Sequence, residues 1–286
     1  MTPSVTLVRV FDRSWAAWLH GVQKCCRKPA RRQVHELRVD CRRLEALLDV
    51  LGHTTGAEPR ALRRLARVAG EALDALSPLR DDQVQHRRIS DATSTRGTEA
   101  LLDDQERREK RHKKRARLAL GRIDLARADA LAHRVRRGVV RRQGAPTPAD
   151  RTRLLLAAVD AAAAGIRSRL AQVDVARSRS LHKLRVALKR FRYVAEIAEE
   201  VAPAIRIPSH TIARSLQRRL GHLHDDDVLT ERLARFTARN RKHRGDVRAF
   251  EAGVDVDRAR NLRGLSRSLS TLSALVADVP HLRTAR

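Results

Sequence analysis

At 286 residues and 42% hydrophobic side chains, the chain can bury a substantial core, so its charge does not signal disorder. Its 61 Lys and Arg outweigh 33 Asp and Glu to give a net charge of +28, a field that favours nucleic acid, anionic membrane or another polyanion. Aromatic residues are only 2%, which counts against readers of single-stranded nucleic acid, since these stack bases on rings. The three cysteines, with Cys25 and Cys26 adjacent, form no disulfide framework. Met1 to Trp15 lacks the apolar core of a signal peptide, and the longest apolar run, Leu154 to Ile166, is interrupted by Asp160. A cytoplasmic, soluble protein with no membrane contact is expected.

Hydrophobic spacing predicts helices throughout, and no stretch sustains the period of two that marks a strand. The first runs from Asp12 to Arg27, with Trp15, Trp18, Leu19 and Val22 on one side and Pro29 as its stop. The second runs from Arg31 to Leu51 and stops at Gly52. A loop from Gly56 leads to a third, Pro59 to Arg88, with Leu62, Leu65, Ala69, Leu73 and Leu76 as its seam; Pro78 should kink or break it. Ser90 to Thr98 reads as a loop, Glu99 to Leu120 as a strongly basic helix, and Gly121 precedes another helix reaching Arg142. Gly144 to Pro148 is the best linker in the chain. The pattern then restarts with a helix from Asp150 to Val175, another to Val201, a loop from Pro203 to Ser209 and a helix from Thr211 to Asn240. A basic turn, Arg241 to Gly245, and a final helix from Asp255 to Val279 close the chain. The expected organisation is one all-α domain of two similar helical halves, about 1–143 and 149–286, joined by 144–148.

Two of these helices are copies. Val34 to Ala46 aligns with Leu181 to Tyr193 at one constant spacing, pairing His35 with His182, Leu37 with Leu184, Arg38 with Arg185, Arg42 with Lys189 and Arg43 with Arg190. Each copy keeps a buried seam: Val34, Leu37, Cys41, Leu44, Leu48 and Leu51 in one, and Leu181, Leu184, Leu188, Phe191, Ala195 and Ala198 in the other. One residue behind each seam, about 100° round the helix, runs a polar stripe. In the second copy it is His182, Arg185, Lys189 and Arg192, without a carboxylate. Like charges at this spacing repel by a few tenths of a kcal/mol per pair, so an acidic partner is their natural complement. A charge run is ordinarily a solvated face, but duplication and placement beside a packed seam favour binding. His35 and His182 fit a structural role as well as a ligand contact.

A second duplicated element pairs Leu79–Val84 with Leu223–Val228, each containing Asp-Asp. Asp81 and Asp225 lie in basic surroundings, and the expectation is that they accept hydrogen bonds from Arg38 and Arg185 and hold them in one rotamer. In the basic helix, Glu106 to Arg117 sets eight Lys or Arg against two acids, with Arg108, Arg111 and Arg115 on one face beside His112; these three arginines are further candidates for binding the anion, a solvated face being the alternative. His222, His224, Asp225 and Asp226 invite a metallohydrolase reading. The first half carries Pro78 and Arg80 where the second has His222 and His224, and an arginine cannot ligate a metal. No nucleophile elbow, phosphate loop or dinucleotide fingerprint supports catalysis or a cofactor.

The paired His-x-x-Arg-Val helices, each followed by Leu-x-Asp-Asp-x-Val and a basic helix, resemble the CHAD domain (conserved histidine α-helical domain). The resemblance implies two four-helix bundles related by an internal pseudo-two-fold axis, with basic stripes facing a central cavity. It also implies binding of inorganic polyphosphate and the ability to localise to polyphosphate granules. The family's basic positions fall here on His35, Arg38, Arg42 and Arg43 and on His182, Arg185, Lys189, Arg190 and Arg192. Glu45 departs from the pattern, standing where the second half has Arg192; either the first half contributes less to the anion or Glu45 pairs locally with Arg42 or Arg38. The expected activity is non-catalytic polyphosphate binding. The alternatives are a basic nucleic-acid binder, resting on net charge alone, and a metal-dependent phosphohydrolase.

Overall fold

The computed structural model describes residues 6–55, 57–143, 147–207 and 210–277. They are helical almost throughout: α1 Leu7–Arg27, α2 Arg31–Thr54, α3 Pro59–Ser90, α4 Arg96–Gly121, α5 Leu125–Gln143, α6 Pro148–Leu170, α7 Ser178–Val201, α8 His210–Arg239, a 3₁₀ turn Arg241–His243, α9 Arg244–Leu262 and α10 Leu265–Ala277. The repeat is visible in the packing. α1, α2, α3 and α5 form one bundle, and α6, α7, α8 and α10 form the other in the same order. Equivalent helices also meet across the halves, α2 on α7, α3 on α8 and α4 on α9.

The seams do what their spacing predicts. Every seam residue of α2 and α7 named above is buried, from Val34 and Leu37 to Phe191 and Ala198, each large side chain contributing about 1.5–3 kcal/mol of transfer free energy. Trp15 and Trp18 stack at 4.9 Å within α1. One continuous core runs through both bundles. A second, smaller one joins Ile89 at the end of α3 and Leu101 near the start of α4 to Leu229, Leu233 and Phe236 of α8 and Val247 and Val254 of α9. α3 and α8 reach it because they are long, 32 and 30 residues, or about 48 and 45 Å.

Several boundaries differ from the expectation. α1 begins five residues early because Thr6 caps it, its Oγ1 accepting from the Arg9 amide at 3.3 Å, and because Leu7, Val8, Val10 and Phe11 extend the buried face. α2 runs through Gly52 to Thr54, whose hydroxyl donates to the Val50 carbonyl at 2.8 Å. α3 is unbroken through Pro78. α6 ends at Leu170, five residues before Val175. The single final helix is two: α9 starts at Arg244, and Gly264 at φ 73°, a left-handed conformation suited to glycine, separates it from α10. Gly138 has a different use, since a Cβ there would sit 2.6 Å from the Ala57 Cα. Residues 144–146 of the expected linker, the end of the 203–209 loop and residue 279 lie outside the described residues.

Candidate functional site

Because α2 and α7 carry equivalent seams and pack on one another, the two basic stripes turn toward a shared cleft. Arg38 and Arg42 from α2 and Arg185, Lys189 and Arg192 from α7 are half-buried along it, with His35 and His182 more exposed. The side chains sit within one another's fields. Burial, then Arg185, Arg38, Arg42 and Arg192, bring the Lys189 ammonium down to about 7. Burial likewise lowers Arg38 and Arg185, offset by Asp81 on the first and by Asp225 and Asp81 on the second. His35 is lowered by burial and then Arg80, and His182 by burial and then His224. Arg80 and His224 are repeat equivalents, and the His182 and His224 rings lie 5.1 Å apart.

Few acids answer this charge. Arg42 is bonded to Glu45 at 3.0 Å, as the sequence suggested. Arg38 donates to Ser77 Oγ at 2.5 Å and to the Leu73 carbonyl at 3.3 Å, one turn before Pro78. Among the described residues no hydrogen bond or ion pair reaches half-buried Lys189, and Arg185 Nε is buried without an acceptor. The expected hydrogen bonds from Arg38 to Asp81 and from Arg185 to Asp225 are not made. Those carboxylates act on the guanidiniums through space, and burial raises the Asp225 pKa.

The acids that clasp arginines are the next ones along. Asp82 is fully buried and Asp226 nearly so. Arg232 Nη2 of α8 donates to Asp82 Oδ1 at 2.8 Å, and Arg88 Nη2 of α3 donates to Asp226 Oδ1 at 2.7 Å. Arg88 and Arg232 occupy equivalent places in the two halves, so each half reaches across to bind the other's aspartate. His112 also bonds Asp82, and Asn261 Nδ2 donates to Asp226 Oδ2 at 3.0 Å. The sequence held the signal for this pair, because both arginines recur six residues after the second aspartate.

The remaining candidates separate by place. Arg108 turns toward Asp82, its Nε 3.7 Å from Oδ1, while Arg111 and Arg115 are exposed on α4 away from the α3-facing side marked by Gln105, Arg108 and His112. Arg190 pairs with Asp49 at 2.6 Å, and the Arg43 guanidinium lies 6.0 Å from the Tyr193 ring; both link α2 to α7 on their flank. Arg192 stacks closer on Tyr193, at 4.5 Å, and meets Glu196 at 3.7 Å. At the His35 end the cleft opens into a groove of about 780 Å³ lined by Arg31, Arg32, Arg80, Arg87, Arg88 and His222, with Asp225, Asp226 and Asp257. Sequence reasoning did not single out the arginines of this groove. Among the described residues no three His, Cys, Asp or Glu side chains are grouped as a metal ion would need, and no helix is long and apolar enough to cross a membrane. Burial pushes the Cys25 and Cys41 thiols up to about 12, which makes them packing groups.

Duplicated bundles and paired helices with a cationic cleft between the copies define an all-helical, internally repeated protein. The family model described as the CHAD domain matches residues 9–234, and the chain belongs to that family. Among solved structures, the crystal structure of the CHAD domain from the plant Ricinus communis superposes with a TM-score of 0.65 at 18% identity, covering 100% of this chain and 96% of that one. The search of curated proteins gave no match.

Proposed function

We propose that the chain binds inorganic polyphosphate in the cleft between α2 and α7 and does no chemistry on it. One observation carries the reading: two rows of cations from the two repeats converge, no carboxylate bonds Lys189, and Arg185 Nε is buried without an acceptor. Buried donors without acceptors are costly, and a ligand supplying closely spaced anionic oxygens removes that cost. Polyphosphate has such oxygens along its whole length and no bases, which suits guanidiniums in a site poor in aromatic rings. The resemblance to CHAD domains implies the same ligand. Recruitment to polyphosphate granules would follow from it.

The test is a titration with polyphosphate of defined lengths, in parallel with duplex DNA and RNA, at two salt concentrations. Polyphosphate should bind tightest and displace DNA, with affinity falling as salt rises, by analogy with counterion release from DNA. Arg185→Ala with Lys189→Ala should weaken binding by about tenfold or more, since each charge-assisted bond contributes about 1.5–3 kcal/mol. Helicity by circular dichroism should be retained. An unchanged affinity in this variant at moderate salt would remove the site assignment, and preferential binding of duplex would favour the nucleic-acid reading.

A further inference from the structure

The two repeats differ at one telling place in the cleft. Where α2 carries Arg42, α7 carries Lys189. A guanidinium stays charged at any physiological pH, whereas an ammonium in a crowded, dehydrated place can release its proton. We propose that polyphosphate binding is coupled to proton uptake by Lys189, so that the site tightens as pH falls. The inference rests on the polyphosphate reading above and adds a regulation to it.

The geometry isolates this one ammonium among permanent charges. On its own helix Arg185 and Arg192 flank it, with His182 further along; from α2 come Arg38 and Arg42, and His35 lies within its field. α8 contributes His224 and Asp225, which act on His182 and Arg185; Asp81 of α3 acts on Arg38 and Arg185, and Glu45 of α2 is taken by Arg42 at 3.0 Å. α6 packs on α7 through an apolar face of Leu155, Val159, Ala163 and Ile166, and its Asp160 is taken by Arg167 at 2.9 Å. No carboxylate bonds Lys189, so the free site lowers its own repulsion by letting this proton go. In support, burial and then the four guanidiniums bring Lys189 down to about 7.

Phosphate oxygens entering the cleft reverse that balance and draw the ammonium pKa back toward its ordinary value. The sign follows. Below about pH 7 Lys189 is protonated with and without ligand and adds no pH dependence. Above that, binding takes up a proton, and affinity falls by as much as about tenfold per pH unit until the bound-state pKa is reached. His35 and His182, both lowered, extend uptake to the acid side.

Isothermal titration calorimetry of the full chain tests this, using long-chain polyphosphate at pH 8 in Tris and in HEPES, whose ionisation enthalpies differ. The expected result is uptake of close to one proton by the unaltered protein. In Lys189→Arg and in Lys189→Gln uptake should fall close to zero, with affinity nearly flat between pH 7.5 and about 9. Binding without proton uptake, or equal uptake in both variants, overturns the inference and leaves the polyphosphate reading standing. No binding heat and no displacement of a labelled polyphosphate would sink both.

Discussion

The α2–α7 layer and the α3–α8 layer face opposite electrostatic problems in one small protein. In the second, Asp82 and Asp226 are buried and each is met by an arginine from the other half, with His112, Gln105 and Asn261 filling further bonding positions. In the first, Arg38, Arg42, Arg185 and Lys189 share a cleft in which only Arg42 has a bonded carboxylate. Matched charges fix how the halves sit on one another. Unmatched charges destabilise the free protein, a cost that the proposed polyanion would offset. Arginine therefore appears in two settings here: clasped to a buried aspartate of the other half at Arg88 and Arg232, and along the cleft, where Arg42 has its carboxylate on its own helix and Arg185 has none bonded.

Removing an architectural arginine breaks the comparison most violently. Arg232→Ala leaves Asp82 buried beside only His112 and the more distant Arg108, and should cost about 3–5 kcal/mol, read from the denaturant midpoint. Arg88→Ala should cost less, about 1–3 kcal/mol, because Arg88 is 26% exposed, whereas Arg232 is 9% exposed and bonds Gln105 as well as Asp82. Equal losses at the two sites would mean that the network around Asp82 adds nothing to the cross-half pair.

Much of this division was legible before any coordinates. The duplicated seams of α2 and α7, the all-helical class and the Arg42–Glu45 bond all follow from spacing within single helices, where position determines face. The aspartate doublets did not resolve, since Asp81 and Asp82 lie about 100° apart on α3 and either could face the cleft. Which one does is decided by α4 and α8, contacts remote in sequence, and the local pattern of α3 is silent on them. The copied motif groups Arg43 and Arg190 with the cleft. Their side chains point one step further round, onto Tyr193 and Asp49. The break between α9 and α10 was hidden because Gly264 sits in an otherwise helical run, and only its left-handed backbone marks the stop.

A recognition residue should respond the other way from Arg232. Lys189→Met removes a charge with no protein partner, and for this half-buried place a gain of about 1 kcal/mol in stability is expected, together with weaker polyphosphate binding. The gain has a pH signature. The unfolded lysine holds its proton up to its ordinary value of 10.5 whereas the folded one gives it up near 7. Below pH 7 the native protein therefore carries the full repulsion, and from there to about 10.5 its stability recovers with rising pH. The advantage of Lys189→Met should be largest below pH 7 and shrink above it, as denaturation at a series of pH values would show. A variant less stable than the parent at pH 6 would mean that Lys189 has a bonding role in the free protein.

The flank should move neither quantity far. Arg190 and Asp49 are bonded at 2.6 Å but stand 55% and 38% exposed, so water already solvates both charges. Such a pair is worth about 0–1 kcal/mol, and Arg190→Ala should cost no more than that. Asp49 is raised by burial and held down by Arg190, so losing the arginine lets its carboxyl titrate higher and any loss of stability is regained as pH falls through the acid range. Polyphosphate affinity should change by less than about threefold, the loss of one screened charge at a distance from the cleft. A tenfold loss, comparable with that of the Arg185 and Lys189 double variant, would move the boundary of the site outward to the motif's second arginine. A bonded aspartate on the neighbouring helix would then not be enough to keep an arginine out of the site.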